Sequence, residues 1–578
     1  MRSTLCDIAL DYKDRCKLFW IPTLFRQLRE FNKLSKPRTS KEALLSLLYN
    51  FLGFFSAFFS LLSIRVSIQD WWSQNVRDNL ETKSVLAICM LILGLTTLRS
   101  YHAMTTGFLL PDEGLYVHAK YGDFYIRPFF TQIFSVYTFL LGANTLADIL
   151  VVGPFFGALW TVGAIMVFHQ ILKFTAQNER DHTLALCSFV LMPICMLLSP
   201  TWLTEPMGLC CTLTGIWGLL FYFKGNATNN CYALASVLAF TVAAIVRESY
   251  WLFFAGNFML LIAYFAFRKK ASCLVLALFL VGIVITAPPQ VTEALSLPYA
   301  PNPWVVQVPP SDKGFPIFGL EQDRYPISFN VLASSLWKFA SSIGIGWNPT
   351  IAIFVVCSLI LSMRELYRTR DTILAVMLAN AFFGFVAFAL MCFYLSTFTF
   401  VYSSTVIRFS HVTLPSAILL PKAYHHLKSK RRITIAMGLT VVALVPVVLA
   451  GLPTIQSGFP EATVSRLSFG YEAPYYRLYK YVDGLNGTTL IFAEPMVRAK
   501  LFLRDNPNVT MLSFQKENFQ RETNGCWSRT LVYGELYPNY LRALEENEPF
   551  FADLIQNKTN RKAETIWWNT ESYLLRLK

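Results

Sequence analysis

The sequence predicts an α-helical polytopic membrane protein: a bundle of about 11 spans, 12 if an early apolar segment also crosses, followed by a small C-terminal extracytoplasmic α/β domain. Three observations predict it. The 578 residues are 54% hydrophobic and only 15% charged, with a mean hydropathy of +0.43. Apolar runs of about 20 residues recur along most of the chain, the length an α-helix needs to cross ~30 Å of hydrocarbon. Lys and Arg gather in every second connection between those runs. Cytoplasmic loops are enriched in basic residues, so this alternation orients the bundle. The formal net charge of +14 is therefore an orientation signal, and no nucleic-acid partner is expected.

Ten Lys or Arg lie between Arg2 and Lys41, which keeps the N-terminus cytoplasmic, and no apolar leader opens the chain. The segment 44–62 is apolar enough to span. Crossing there would invert every later loop against the basic pattern, so a surface or re-entrant segment is expected, with an interfacial stretch through Trp71 and Trp72. Residues 1–83 are read as one basic region and 84–452 as the membrane domain. Its apolar runs are 84–106, 149–172, 182–199, 204–223, 231–246, 250–267, 271–288, 349–363, 372–394, 408–421 and 433–451.

The basic connections hold Lys173 and Arg180; Lys224; Arg268 to Lys270; Arg364, Arg368 and Arg370; and Lys428 to Arg432. The other set holds Asp112-Glu113, Thr204-Glu205-Pro206, Arg247-Glu248, the Pro-rich connection 289–348 and the loop 395–407. By charge the first set is cytoplasmic and the second extracytoplasmic. After Pro128, Phe129 to Leu141 is apolar on one face and ends at Gly142, as a helix lying along the outer surface does. The second half of 289–348 resumes a helical period from Asn330 to Ile345.

Beyond 453 the chain turns polar. Thr489 to Ala493, Val509 to Phe514 and Thr530 to Tyr533 read as strands, and Pro495 to Leu503 as a helix. Three sequons, at Asn486, Asn508 and Asn557, suit an outward domain. The Tyr475-Tyr476 pair reads as surface packing. Most of the 12 Cys lie inside apolar runs without metal-like spacing, as small buried hydrophobes do.

Folding these spans into a bundle brings nearly all ionisable groups of the apolar region to the outer level: Asp112, Glu113, Asp123, Glu205, Arg247, Glu248, Arg408 and His411. Charge held near lipid is expensive and marks a functional site by default. Carboxylates suit a general base acting on a hydroxyl or amine. Arginines suit phosphate, through paired hydrogen bonds. Blander readings stand beside each: Arg247-Glu248 as a mutual ion pair, Arg408 as a snorkelling side chain, His411 as a hydrogen-bonded core residue, Glu205 as a helix-start charge. His118 with Asp112 and Glu113 could hold a divalent metal, on a spacing that is not specific.

The early span leaving into Pro111-Asp112-Glu113, with Tyr116, Gly122-Asp123 and Arg127-Pro128 opening a surface helix, resembles the GT-C glycosyltransferases. So do the later exit at Thr204-Glu205-Pro206, Arg408 opening a late span with Pro415, and the outward C-terminal domain. That superfamily includes protein O-mannosyltransferases and the aminoarabinose transferase acting on lipid A. The resemblance covers roughly 84–452 and lies in layout more than in letters. It implies a GT-C-like bundle and inverting transfer from a polyprenyl-phosphate sugar donor to a protein, glycan or lipid acceptor. Asp112 is then the candidate base and Glu113 its neighbour as base or orienter. Asp123, Glu205, Arg247, Arg408 and His411 are the substrate-binding candidates. No cofactor is implied with certainty, and the metal stays open. A secondary transporter or channel with an outer acidic site is the alternative. Transporters usually show internal repeats, and none is visible here. A non-catalytic scaffold would leave the outer charges without a task.

Overall fold

The structure is a computed structural model that describes residues 80–107, 111–121, 127–225, 230–268, 272–287, 328–396, 403–427, 473–483, 485, 488–492, 502–504, 506–513, 530–535, 563–568 and 572–577. The early apolar segment 44–62, Asp123, the run 433–451 and the 495–501 part of the expected C-terminal helix lie outside the described residues.

Helix α1 spans Leu80–Thr106, 27 residues, or roughly 40 Å at 1.5 Å per residue. Short α2 covers Pro111–Lys120 and α3 covers Pro128–Leu140. Pro opens each, where a missing N–H costs nothing. Helix α3 ends at Gly142 in the left-handed region, as the sequence pattern anticipates. Helix α4, Leu146–Leu172, starts on a capping box between Thr145 and Asp148.

Where one run over 182–199 is expected, the chain forms two helices, α5 at Glu179–Val190 and α6 at Pro193–Leu198. Pro193 lacks the N–H to continue α5, and its ring pushes Met192 into extended backbone, ψ 124°. Helices α7 (Thr204–Lys224), α8 (Asn230–Val246), α9 (Trp251–Arg268) and α10 (Cys273–Thr286) follow. A 3₁₀ turn at Glu248–Tyr250 joins α8 to α9. Then come α11 (Phe329–Trp347), α12 (Pro349–Thr369) and α13 (Thr372–Ser396). Helix α11 bears out the helical period expected late in 289–348.

The run 408–421 is not one α-helix. Helix α14 (Ser403–Phe409) passes into a 3₁₀ stretch at Ser410–Leu419 and then α15 (Leu420–His426). Ser410, Thr413 and Ser416 recur every third residue, and each hydroxyl donates to the carbonyl three residues back. Three residues per turn is the 3₁₀ period, so these bonds and Pro415 favour the tighter winding.

Six helices among the described residues are long and apolar enough to cross a membrane; α8 and α10 are shorter apolar helices. Helices α4 and α7 are 78% buried over their apolar windows, while α1 and α12 are 22% buried. The first pair is the centre of the bundle, and the second turns apolar surface outward, as lipid-facing helices do. Gly153 and Gly157 of α4 permit its closest contact. A Cβ at Gly153 would strike the Trp202 ring, and one at Gly157 the Thr201 carbonyl oxygen. The segment between α6 and α7 therefore lies against bare backbone.

Among the described residues, those in or beside the basic connections are joined at one end. The Arg180 guanidinium donates to the carbonyls of Tyr424 and Leu427, and Lys422 pairs with Glu365 at 2.9 Å. Lys224 sits over the Phe174 ring.

At the C-terminus, α16 (Pro474–Asp483) leads into five strands in the order β2-β1-β3-β5-β4. They are β1 Thr488–Phe492, β2 Val509–Ser513, β3 Thr530–Glu535, β4 Ala563–Trp568 and β5 Ser572–Leu577. The first three are parallel, β5 runs antiparallel to β3, and β4 closes a hairpin with a bulge near Thr565. Tyr475 is buried, where surface packing is expected of the Tyr475-Tyr476 pair.

Candidate functional site

The site begins at α2. Pro111 opens the helix, so Asp112 and Glu113 fall in its first turn, where exposed N–H groups favour carboxylates. The Glu113 side chain is fully buried and pairs with Arg99 of α1 at 3.0 Å. The Trp202 backbone N–H donates to Glu113 Oε1 at 3.4 Å, and its indole Nε1–H donates to the Glu113 carbonyl at 3.1 Å. Glu113 thus ties α2 both to the first span and to the segment lying on α4. Asp112 lies one position earlier on α2. Its side chain and that of His118 lie outside the described residues, as does all of Asp123.

At the other end of α2, Tyr116 packs on Phe130 of α3 at 4.7 Å between ring centroids. The Lys120 ammonium donates to the Ala143 carbonyl at 2.9 Å. Partial burial lowers the Lys120 pKa below its usual value, and the nearby Asp148 charge opposes that shift.

Two residues beyond Trp202 the arginines gather. Thr204 Oγ1 accepts one N–H from Arg127 and one from Arg247, each at 3.0 Å, and donates to Glu205 Oε2 at 3.2 Å. A hydroxyl has one proton and two lone pairs, so Thr204 is saturated. Glu205 Oε1 pairs with Arg247 at 3.0 Å and with Arg408 Nε. All three of these side chains are buried. Arg127 donates further to the Val246 carbonyl and to Glu248 Oε2, at 3.1 and 3.2 Å. The Arg127–Glu248 pair is 20% and 26% exposed, against 5% or less for Arg247–Glu205. The first pair is therefore the lip of the cluster and the second its floor.

Arg127 holds this place at φ 42°, ψ 63°, a left-handed conformation that costs roughly 1–2 kcal/mol for a residue with a Cβ. Its three side-chain hydrogen bonds oppose that strain. His411, fully buried, donates from Nδ1 to the Arg408 carbonyl at 2.8 Å and lies edge-on to Tyr250 at 5.5 Å. Arg247 stacks over Phe409 at 4.7 Å.

The structure thus brings Glu205, Arg247, Arg408 and His411 together, as the sequence suggests, and links them to Glu113 through the stretch Trp202 to Glu205. Arg247 and Glu248 each reach a distant partner. Arg408 is paired and buried instead of snorkelling. Sequence reasoning passed over Arg99, whose signal was available as a guanidinium inside an apolar run. The Arg127-Pro128 pair gives no role for Arg127, and the sequence does not show the three bonds of Thr204. Among the described residues no three His, Cys, Asp or Glu side chains gather as a metal-ligand set.

No protein-family model matches the chain, and no curated protein matches it. Solved structures do. ArnT from Cupriavidus metallidurans in the apo state is 13% identical with a TM-score of 0.48, over 86% of this chain and 97% of that one. The same protein bound to undecaprenyl phosphate gives 12% and 0.48, over 86% and 98%. The archaeal oligosaccharyltransferase AglB from Archaeoglobus fulgidus, in complex with an inhibitory peptide and a dolichol-phosphate, gives 10% and 0.43, over 80% and 70%.

Proposed function

We propose that the chain is an integral-membrane glycosyltransferase of the GT-C kind. It moves a sugar from a polyprenyl-phosphate donor to a protein, glycan or lipid acceptor on the extracytoplasmic side. One observation carries the reading: Trp202 to Glu205 joins the acidic helix α2 at Glu113 to a cluster of three guanidiniums and two carboxylates at Thr204 and Glu205. The helix that carries Asp112 and a cluster with one more guanidinium than carboxylates are thus tied to one short segment at an apolar bundle's end.

In the reaction, Asp112 takes the proton of the acceptor hydroxyl or amine as that atom attacks the anomeric carbon. The bond from that carbon to the phosphate oxygen breaks, configuration inverts, and the phosphate keeps the electron pair. The negative charge that develops on the departing lipid phosphate meets Arg127 at the lip, with Arg247 and Arg408 behind it. Glu205 holds those two guanidiniums in place beforehand, so little reorganisation is needed as charge moves. Glu113 orients the helix that carries Asp112. His411 fixes the backbone carbonyl of Arg408. Asp123 remains a substrate-binding candidate on sequence grounds.

The test is sugar transfer in membranes from radiolabelled polyprenyl-phosphate sugars, with Asp112→Asn at matched expression. Transfer by wild type that disappears in the variant supports both class and base. Unchanged transfer by the variant removes Asp112 from catalysis. Silence of the wild type with every donor favours the transport alternative.

A further inference from the structure

The sheet domain touches both ends of the acidic segment. At its entry, α1 ends on Gly107, whose N–H bonds the Ala103 carbonyl and whose φ is +68°. Tyr476 of α16 fills the space beside it, so closely that a Cβ at Gly107 would lie 2.7 Å from the Tyr476 side chain. At its exit, the Arg504 guanidinium stacks on the Tyr121 ring at 4.0 Å. The Tyr121 hydroxyl in turn donates to the Asn144 carbonyl at 3.2 Å, so the ring lies between the sheet domain and the turn after α3. Tyr476 is itself seated on Phe502 and Tyr479, at 5.7 and 6.0 Å, and Arg576 of β5 reaches Tyr481 of the same helix. The contact at Gly107 is thus backed by the domain's own packing.

Helix α2 has 10 residues, and a helix that short has little stability without tertiary contacts. Glu113 and Tyr116 hold it to the membrane bundle, but the chain on either side of it is gripped by the other domain. We propose that the C-terminal domain is the positioning partner of α2: Tyr476 at Gly107 and Arg504 at Tyr121 are positioning residues that set where Asp112 stands. The proposal rests on Asp112 as the base and extends it, because it makes domain docking a condition of turnover. Errors of about 1 Å in such a group cost on the order of 100-fold in rate, so a modest loosening is measurable.

The experiment uses the full chain in membranes and has two arms. In the first, benzoylphenylalanine replaces Tyr476 and is photolysed. Capture of the peptide containing Gly107 is expected, and its absence overturns the docking whatever the activity. In the second, kcat and the donor KM are compared for wild type, Arg504→Ala, Arg504→Lys and Gly107→Ala. Arg504 is exposed, so its removal leaves the fold standing. The expected result is a kcat about 10-fold lower in Arg504→Ala and Gly107→Ala, with donor KM within about twofold, since only the base is displaced. Arg504→Lys restores most of the rate, because an ammonium still sits over the ring. Variants that turn over like wild type overturn the proposal while leaving sugar transfer intact. A wild type that crosslinks but transfers no sugar overturns the glycosyltransferase reading, and the positioning role falls with it.

Discussion

Thr204 is where chemistry and stability can be separated by one substitution. Its hydroxyl takes two guanidinium N–H groups and gives one proton to Glu205, and Ser can do the same. Val cannot, and strands buried donors at about 1–3 kcal/mol. Thr204→Val is expected to lower the unfolding midpoint in detergent and to weaken transfer, with Thr204→Ser close to wild type in both. Glu205→Gln should be harsher. It leaves Arg247 and Arg408 as under-compensated charges in a buried setting, where breaking a pair costs about 3–5 kcal/mol. Asp112→Asn, by contrast, is expected to abolish transfer with stability nearly unchanged; equal destabilisation by both variants would place Asp112 in the scaffold. Glu205, Arg247, Glu248, Arg408 and His411 were legible in the sequence as one group, because charges near lipid stand out; the parts of Arg127 and Thr204 were not. Who pairs with whom was not. Arg247 and Glu248 adjoin, yet Arg247 meets Glu205 and Glu248 meets Arg127. That choice depends on how α3, α7 and α8 pack over long sequence separations, 121 residues for Arg127 and Glu248, which no local pattern encodes.

At the scale of the element, Asn257 and Asn380 form a reciprocal amide pair between α9 and α13. Each donates to the other at 2.7 and 2.9 Å and spends its second N–H on its own helix, at Phe253 and Val376. Both are fully buried. Asn257→Leu strands its partner and is expected to destabilise by roughly 0.6 kcal/mol, the average for such bonds in membranes, and by no more than about 1.7. The double replacement with Asn380→Leu should recover part of that loss, since removing both partners leaves no unpaired amide; thermal unfolding of the three variants measures it. Gly157→Ala is a test of another element. Its methyl would meet the Thr201 carbonyl, a backbone atom that cannot rotate aside, so overpacking of about 1–3 kcal/mol is expected. Transfer should fall as Trp202 is pushed off Glu113. Hydropathy located the helices well, because lipid selects by composition over a fixed length. It could not show that 182–199 breaks at Pro193, nor that 408–421 winds as 3₁₀ on its Ser410, Thr413 and Ser416 bonds. The β4–β5 hairpin escaped as well, since its bulge near Thr565 breaks the alternation that marks a strand.

For the whole molecule, the two ends of the bundle differ in kind, and that difference predicts an orientation. The basic end joins Arg180 to the α15 terminus and Lys422 to Glu365. The opposite end carries the arginine–glutamate cluster and the sheet domain, through Gly107 and Tyr121. If the basic end faces the cytoplasm, the sheet domain lies outside, and so does the arginine–glutamate cluster. The sequon at Asn508 reports on this. Asn508 is exposed in the turn before β2, its N–H held by the Asn506 side chain, and Thr510 is exposed two residues on. Among the described residues β2 is an edge of the sheet, so a glycan there meets no described strand on that side. Translated into microsomes that carry out N-glycosylation, the chain is expected to gain a glycan that Asn508→Gln removes, because the acceptor must be lumenal to be reached. A chain that stays unmodified at Asn508 while a control sequon inserted beside Arg370 is glycosylated has the reverse orientation. The outer charges would then face the cytoplasm, and an extracytoplasmic sugar transfer from this site would be ruled out.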